Sequence, residues 1–330
     1  QELSFDYRGH LLKMRSPQEF ATYVRQYRYD AGKDALIDLT TNKAYYATRN
    51  GNFEASDGDT LDVGYKAVIG GRNFKNLVSD SRYSSPFFRV FIWTIVFAFV
   101  SVVETFALGL LLAVLLNDPR VRFRGFYRVL LIVPYALPAF ITCLIWRGLF
   151  QTETGVINNY LILPLFGKAI PWLQDPFWAK VALLVVNLWL GFPYMMLISL
   201  GALQSIPGDL YEAAMVDGAT GWQQFRRITL PLILSALTPL LIASFAFNFN
   251  NFNVIYLVTK GRPAIPHSQT PTGATDILIS YTYRIAFEGG SGNNYGLAAA
   301  VSLLIFLLVG FITYLNFRCS NALKEVPANE

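Results

Sequence analysis

The hydrophobic and polar positions divide the chain into a mixed N-terminal part and a long apolar remainder. Charged, aromatic and turn-forming residues are interspersed over residues 1–86. Three stretches there indicate short strands, at 35–39, 43–48 and 61–69. Asn50-Gly51 is a residue pair that hairpin turns favour. We predict that residues 1–86 form a small α+β domain or a fragment of a larger one.

Five long apolar runs follow, and each approaches or exceeds the roughly 20 residues that a helix needs to cross a bilayer. They lie at 91–116, 127–150, 178–203, 232–258 and 295–317. Prolines are tolerated where membrane helices pack against neighbours, so we expect kinked spans at Pro134, Pro138, Pro193 and Pro239. The predicted fold is an all-α polytopic membrane protein with five spans over residues 87–320, followed by a tail at 321–330.

Composition and charge agree with a membrane protein. Hydrophobic residues make up 53% of the chain and charged residues 15%, whereas soluble domains carry about 25% charged residues. The net charge of +5 is compatible with nucleic-acid binding, but the basic residues do not form one patch, so we expect no nucleic-acid partner. Within the apolar part, the loops after the first and third runs and the tail carry Arg120, Arg122, Arg124, Arg128, Arg226, Arg227, Arg318 and Lys324. The loop after the second run holds only Lys168, and the loop after the fourth holds Lys260, Arg262 and Arg284, a weaker asymmetry.

This distribution predicts an orientation. Basic loops are retained in the cytoplasm, which puts the C-terminus inside and the N-terminal domain outside. An outer N-terminal domain requires an earlier span or a signal to translocate it. The chain begins at Gln1 without an initiator Met, so we expect that the true N-terminus is missing.

Residue types for metal binding or catalysis are scarce. The two histidines, His10 and His267, are isolated, and Cys143 and Cys319 belong to no cluster with metal-ligand spacing. No Ser/His/Asp or Cys/His arrangement and no phosphate-binding loop occurs. We therefore expect a chain that is not an enzyme and holds no metal or cofactor.

The loop between the third and fourth runs predicts a pair of short helices. Asp209 can cap a helix that begins near Leu210, and Gly218 can end it because glycine adopts a left-handed conformation easily. A second short helix is expected from about Gly221, and Pro231 marks the start of the next run. Such a knob could dock in a groove of a partner protein. The alternative is a well-formed loop without a partner.

The same loop carries a family resemblance. The spacing of Glu212-Ala213-Ala214, Gly218, Ile228 and Leu230-Pro231 resembles the EAA loop of permeases in binding-protein-dependent ABC importers. Residues 71–77 and 295–300 resemble the carbohydrate-uptake branch, and most of the chain resembles its maltose and maltodextrin permeases. Those permeases have eight spans and a large extracytoplasmic insertion, so this chain would begin inside the insertion and hold the last five spans.

The resemblance implies partners as well as a fold. Residues 204–231 would be a coupling loop, in which Glu212, Ala213, Ala214, Gly218, Ile228, Leu230 and Pro231 contact a cytoplasmic ATPase. It implies two ATPase copies that bind ATP and Mg, a second, different permease subunit and a periplasmic sugar-binding protein. The location would be the bacterial inner membrane, with the N-terminal part in the periplasm.

Two stripes of polar residues lie inside the third and fourth runs at helical spacing. Buried asparagine must satisfy both its carbonyl and its amide, so these residues face another helix or a polar cavity. Hydrogen bonds between helices are one interpretation, and binding of an uncharged, polyhydroxylated solute is the other. The resemblance implies a maltose site at Asn187, Leu190, Gly191, Tyr194, Ser244, Asn248 and Asn251.

Alternative functions depend on other residues. Glu104 is the one acid well inside a span, and it would suit a proton-coupled secondary carrier, although it can also have a structural role. A permease of the same family for another oligosaccharide, a polyol or glycerol-phosphate is a second possibility, but no cation lies in the polar stripes. A membrane anchor with a binding domain is a third. The leading expectation is sugar import by alternating access.

Overall fold

The computed structural model describes residues 4–7, 10–16, 19–22, 25–48, 51–65, 67–266, 270–288 and 294–319. The chain divides into two compact units, residues 1–72 and 73–330. This boundary lies earlier than the predicted one at residue 86. The reason is that Leu77 belongs to the core of the second unit, where it packs with Phe87 and Val90.

The first unit contains two antiparallel sheets. Strands β1 to β3 pair in chain order, and β4 to β8 form a five-stranded meander, also in chain order. The strands are β1 Ser4–Tyr7, β2 His10–Ser16, β3 Glu19–Thr22, β4 Tyr27–Asp30, β5 Ala35–Asp38, β6 Ala44–Ala47, β7 Asn52–Ala55 and β8 Thr60–Gly64.

The predicted strands at 35–39 and 43–48 are confirmed as β5 and β6, but the third was predicted too long. β8 ends at Gly64 and not at residue 69, because its partner β7 begins at Asn52, which pairs opposite Gly64. Gly51 has a φ of 88°, as the predicted hairpin turn requires. Asn50 lies outside the described residues.

The second unit is helical. Its helices are α1 Arg72–Ser79, α2 Ser81–Asn117, α3 Arg124–Ala136, α4 Ala139–Leu149, α5 Leu163–Phe166, α6 Pro176–Gln204, α7 Gly208–Val216, α8 Gly221–Gln224, α9 Leu230–Phe249, α10 Phe252–Val258, α11 Leu278–Phe287 and α12 Tyr295–Cys319. Wider π-helical turns, Ile157–Ile162 and Phe225–Thr229, lead into α5 and α9. In the described residues four helical segments could each cross a membrane, or five if α3 and α4 together make one span.

Two of the predicted spans are interrupted. α3 and α4 meet at an angle of 90° around Leu137 and Pro138, where proline lacks the N–H that would continue the helix. The predicted span 232–258 is wrong at its end, because α9 stops at Phe249. The side chain of Asn251 accepts a hydrogen bond from the Val254 N–H at 3.4 Å and caps a separate helix, α10. The other three prolines, Pro134, Pro193 and Pro239, lie inside helices.

The helices α2 and α6 pack closely along their length, and two glycines permit this. A Cβ atom on Gly109 of α2 would lie 2.6 Å from the backbone nitrogen of Met196. A Cβ atom on Gly191 of α6 would lie 2.8 Å from Cγ2 of Thr105. Small residues at such positions let membrane helices approach each other.

The connection between α4 and α6 is folded around one buried side chain. Asn158 is fully buried, and its Nδ2 donates to the carbonyls of Thr152 and Ile170, each at 2.9 Å. Its Oδ1 accepts from the Ile170 N–H and from Nε1 of Trp172, each at 3.1 Å. Every hydrogen-bonding position of this amide is therefore used.

Candidate functional site

The structure brings three of the predicted asparagines into one buried cluster, which we call the asparagine triad: Asn187, Asn248 and Asn251. Asn187 Nδ2 donates to Oδ1 of Asn248 at 2.8 Å, and Asn251 Nδ2 donates to Oδ1 of Asn187 at 3.1 Å. Asn248 Nδ2 donates to the carbonyl of Ser244 at 2.9 Å. The triad therefore joins α6, the end of α9 and the start of α10.

The break in the fourth predicted span lies within the triad, between Asn248 and Asn251. On a continuous helix Asn248 and Asn251 would lie about 60° apart around the axis, on one shared face. The structure instead ends α9 at Phe249, and Asn251 reaches Asn187 from the position that caps α10. Spacing alone predicted one shared face, whereas the structure makes the contact through a helix end.

The triad is only partly satisfied. Each of the three amides donates one side-chain hydrogen bond and accepts one within the described residues. An asparagine amide can donate two and accept two. One N–H and one acceptor position therefore remain on each residue, in an uncharged environment suited to hydroxyl groups.

The other predicted substrate residues have different surroundings. Leu190 is half-buried and packs with an apolar cluster that includes Phe97 and Val186. Gly191 is explained by its close approach to Thr105, and Tyr194 is half-buried on the same helix. Ser244 contributes its carbonyl to the triad. The structure thus joins the asparagines by hydrogen bonds and leaves Leu190 and Tyr194 as neighbours along α6.

The coupling loop forms the predicted pair of helices with one difference. Asp209 lies in the first turn of α7 and does not cap it, because the helix already starts at Gly208 behind Pro207. Gly218 has a φ of 76° and ends α7 as predicted. The N–H of Gly218 bonds to the carbonyl of Met215 at 3.0 Å, and that of Ala219 to Ala214 at 2.9 Å, which is a Schellman motif.

The second helix of the loop, α8, follows directly. Thr220 precedes it, and the Thr220 hydroxyl and Gln223 form a reciprocal cap at its N-terminus. The hydroxyl of Tyr211 bonds to that of Thr229 at 2.9 Å and fastens α7 to the base of α9. The loop is therefore held as one piece.

The predicted contact residues are unevenly exposed. Glu212 and Ala213 are exposed, and Ala214 is half-buried. Ile228 and Leu230 are half-buried at the base, and Pro231 is exposed at the start of α9. Apolar side chains on the knob also face outward, with 59% of Met215, 88% of Val216 and 69% of Trp222 exposed. Such a surface suits docking to a protein partner.

Glu104 is half-buried on α2, and within the described residues its Oε1 is buried without a hydrogen-bond partner. Structural pairing with a neighbouring helix, one of the two predicted roles, is therefore not found for this oxygen in the described part of the chain. In that same part, no three His, Cys, Asp or Glu side chains are grouped so that they could hold a metal ion.

A polar network at the α10–α11 connection was not among the predictions from the sequence. Asp276 is buried, and its Oδ2 accepts from Nη1 of Arg284 and pairs with it at 2.8 Å. Arg284 also pairs with Glu288 at 3.1 Å, and Glu288 accepts from the hydroxyl of Tyr256 at 3.0 Å. Burial raises the pKa of Asp276 to about 6, although the charge of Arg284 acts in the opposite direction. The Arg284–Glu288 pair has the i,i+4 spacing of helix neighbours, but Tyr256 lies 32 residues from Glu288, so spacing does not reveal the whole network.

Residues 105–320 match the family described as the binding-protein-dependent transport system inner membrane component. This match covers more than half of the chain, includes α6 to α11 and contains both the triad and the coupling loop. The chain belongs to this family.

Individual relatives are permeases of one kind. The chain is 45% identical over 319 residues to the maltose/maltodextrin transport system permease protein MalF of Photorhabdus laumondii, covering 94% of this chain and 61% of the relative. It is 46% identical over 317 residues to the protein of the same name from Vibrio vulnificus, covering 94% and 60%. For that of Salmonella typhimurium the identity is 48% over 279 residues, with 84% and 54% covered. The chain thus spans about 60% of the length of the curated relatives it matches.

Solved structures share the fold. A bacterial ABC transporter involved in the import of the acidic polysaccharide alginate matches with a TM-score of 0.62 and 25% identity, over 76% of this chain and 84% of that chain. The bacterial alginate transporter in complex with its pentasaccharide-bound periplasmic protein matches with a TM-score of 0.64 and 25% identity, over 79% and 85%. The helical arrangement is therefore that of an ABC importer permease, and the multi-pass membrane assignment is confirmed.

Proposed function

We propose that this chain is part of a permease subunit that moves maltose and maltodextrins across the bacterial inner membrane in an ATP-driven ABC importer. The observation that carries the proposal is the asparagine triad. It is buried and uncharged, and each amide keeps one donor and one acceptor for a ligand. Sugar hydroxyls both donate and accept, so they complement such a site. The names of the relatives support the choice of sugar.

The energy for transport would come from a partner. The knob of α7 and α8 presents Glu212 and exposed apolar side chains such as Trp222, which suits docking to an ATPase subunit. Two such subunits would bind ATP and Mg, and this chain would bind neither. A second permease subunit and a periplasmic sugar-binding protein complete the proposed assembly. The solved alginate transporter with its loaded periplasmic protein supports this arrangement.

The proposed orientation follows from the basic loops. Arg120, Arg226 and Arg227 flank the ends of α2 and α6 at which the coupling loop also lies. Lys and Arg are retained on the cytoplasmic side. The first unit would then be periplasmic and the C-terminus cytoplasmic.

The test uses the full-length permease assembled with its second permease subunit, its ATPase and its binding protein in proteoliposomes. We expect ATP-dependent maltose uptake. Gly218→Val should abolish uptake per transporter, because a β-branched residue is strained at a φ of 76° and would deform the knob. Gly208→Val is the matched control, since a Cβ atom there meets open space. Uptake that persists in Gly218→Val, or that needs no ATP, would contradict the proposal.

An acidic solute, as in the alginate transporters, is the main alternative within the family. The triad argues against it, because an anion favours a cationic partner and the triad contains only amides. Competition of maltose uptake by neutral and by acidic oligosaccharides would decide between the two.

A proton-driven carrier is the alternative of another class, and the unpaired Oε1 of Glu104 is the observation that favours it. That function predicts uptake driven by a pH gradient without ATP. It also predicts that Glu104→Gln abolishes uptake, whereas an ABC permease should retain most of it.

A further inference from the structure

Arg284 on α11 is the centre of a network that reaches from the α10–α11 connection to Tyr256 on α10. Its side chain is only 12% exposed and pairs with both Asp276 and Glu288. One guanidinium thus holds two carboxylates, one on each side, in a fixed geometry. The contacts through Asp276 (the Asp276 arm) and those through Glu288 (the Glu288 arm) lead to different parts of the second unit.

The Asp276 arm is anchored to α2. Asp276 also accepts from the Gly273 N–H at 2.7 Å and from the Ser280 hydroxyl at 2.9 Å. Beside it, the carbonyl of Thr275 accepts from Nε1 of Trp93 at 3.3 Å. The Leu278 N–H donates to the Thr94 hydroxyl at 2.9 Å. Because α2 is the longest helix and packs along α6, this arm provides a fixed reference.

The Glu288 arm leads to α10. Glu288 accepts from the hydroxyl of Tyr256, and the ring of Tyr256 stacks on that of Phe252 at 4.9 Å with an angle of 15°. Phe252 is the first residue of α10 and directly follows Asn251. The ring of Tyr283 on α11 packs against both rings at 5.2 Å.

Helix α10 needs such support. The backbone of α9 ends at Phe249, so the direction of α10 is not fixed by a continuous helix. It must be fixed by contacts of its side chains. Those contacts in turn determine where Asn251, which caps α10, presents its amide to Asn187.

The geometry points to a positioning relay in which Arg284, through Glu288 and Tyr256, holds Asn251 in place for sugar binding. The relay rests on the proposed function of the triad. None of its members bonds to the triad directly. Its effect on transport should therefore pass through Asn251 alone.

A double-mutant cycle in the reconstituted full transporter tests the relay. Tyr256→Phe removes one hydroxyl and keeps the ring. We expect it to lower maltose uptake per ATP hydrolysed roughly fivefold, with the rate of ATP hydrolysis unchanged. In an Asn251→Ala background the same change should have no further effect, because the residue it positions is gone. Glu288→Gln should behave like Tyr256→Phe, and Tyr160→Phe, on a ring that is 75% exposed, is the control.

The outcomes separate the relay from the proposed function. If wild-type transporter moves maltose and the effects of Tyr256→Phe and Asn251→Ala multiply, Tyr256 has only a general structural role and the relay is wrong. Uptake by Tyr256→Phe equal to that of wild type would also overturn it. If the wild-type transporter moves no maltose, the proposed function fails and the relay fails with it.

Discussion

Asn158 and the asparagine triad are both buried amides, and they differ in how many of their hydrogen-bonding positions are used. Asn158 makes four hydrogen bonds, three to backbone groups and one to Trp172. Each member of the triad uses two of its four positions, mostly on the other asparagines. The two regions lie in the same unit and use the same side chain.

The difference teaches how to separate a structural amide from a binding amide. Asn158 has all four positions filled by groups of one connection, three of them backbone groups, so any change of partner can only lose bonds and Asn158 stabilises that connection. The amides of the triad bond to each other and have positions to spare, so they can exchange partners when a hydroxyl arrives. Full satisfaction leaves Asn158 no position for a ligand, whereas the free positions on three neighbouring amides are the basis of the proposed sugar site.

The largest effect on stability is expected at Asn158. Asn158→Ala should lower the free energy of unfolding by about 4 kcal/mol, because it leaves buried backbone groups of Ile170 and Thr152 and the indole of Trp172 without partners. Thermal unfolding of the purified protein in detergent measures this. Uptake per folded transporter should stay near that of wild type. If Asn158→Ala lost uptake while its stability stayed that of wild type, Asn158 would not have the structural role that distinguishes it from the triad.

Asn187→Ala should lower uptake strongly and stability only a little, which is the reverse of the effects expected for Asn158→Ala. We expect uptake to fall roughly thirtyfold, equivalent to about 2 kcal/mol, because Asn187 bonds to both other members of the triad. Stability should change much less than in Asn158→Ala. The control is Asn253→Ala, an exposed asparagine two residues beyond the triad. A stability loss as large as that of Asn158→Ala, with uptake retained, would make the triad structural.

Gly191→Ala sharpens the comparison, since resemblance placed this residue in the sugar site and the structure places it against Thr105. The added methyl group should destabilise the protein by about 1.5 kcal/mol through contact with Cγ2 of Thr105. Thr105→Ser removes that methyl and should restore stability in the double variant. If uptake stays low although stability is restored, Gly191 contacts the sugar after all.

The smallest expected effect is a change of stability with pH. It comes from Asp276, a buried residue that can carry charge, and is compared with the neutral amides of Asn158 and the triad. Burial raises the pKa of Asp276 to about 6, so the folded protein binds its proton more tightly than the unfolded chain, where the pKa is near 4. The stabilising contribution is present at low pH and is lost as the pH rises through 6. Lowering the pH from 7.5 to 5 should therefore add about 1 kcal/mol to the contribution of this residue.

Asp276→Asn cannot titrate, so the difference in unfolding temperature between wild type and this variant should change over that pH interval. The matching difference for Asn158→Ala should not change, since no charge is involved there. If the difference in unfolding temperature between wild type and Asp276→Asn did not change with pH, the charge of Arg284 would offset the effect of burial on the pKa of Asp276 more fully than expected.

Hydrophobic runs predicted most of the fold. Long apolar segments can only be buried in lipid or in a large core, so α2, α6 and α12 were located from composition alone. The sequence did not reveal the end of α9, because Ser244, Asn248 and Asn251 have the spacing of one face of a continuous helix. The choice between continuing a helix and capping a new one depends on the contact of Asn251 with Asn187 across the fold.

The candidate site was predicted in part, and for different reasons at different residues. Helical spacing predicted one polar stripe with Asn187 and another with Asn248, and the resemblance implied that both belong to one site. Gly218 followed from the conformation that a helix end requires. The pairing of Arg284 with Glu288 has helical spacing. The bond from Tyr256 to Glu288 and the four bonds of Asn158 depend on where connections fold back, which no periodic pattern records. For Gly191 the resemblance implied only a place in the sugar site, and the packing role became visible through the distance to Thr105.

The uninterrupted helical segment from Gly221 to Phe249 has a mechanical consequence. It begins in the knob beside Trp222 and ends next to Asn248, so about 40 Å of helix separates the docking surface from the triad. A segment of that length acts as a lever. A tilt of about 10° at the knob would displace Asn248 by about 7 Å, which exceeds the length of the hydrogen bond that it receives from Asn187. A partner that rotates the knob by this amount would pull the triad apart without touching it.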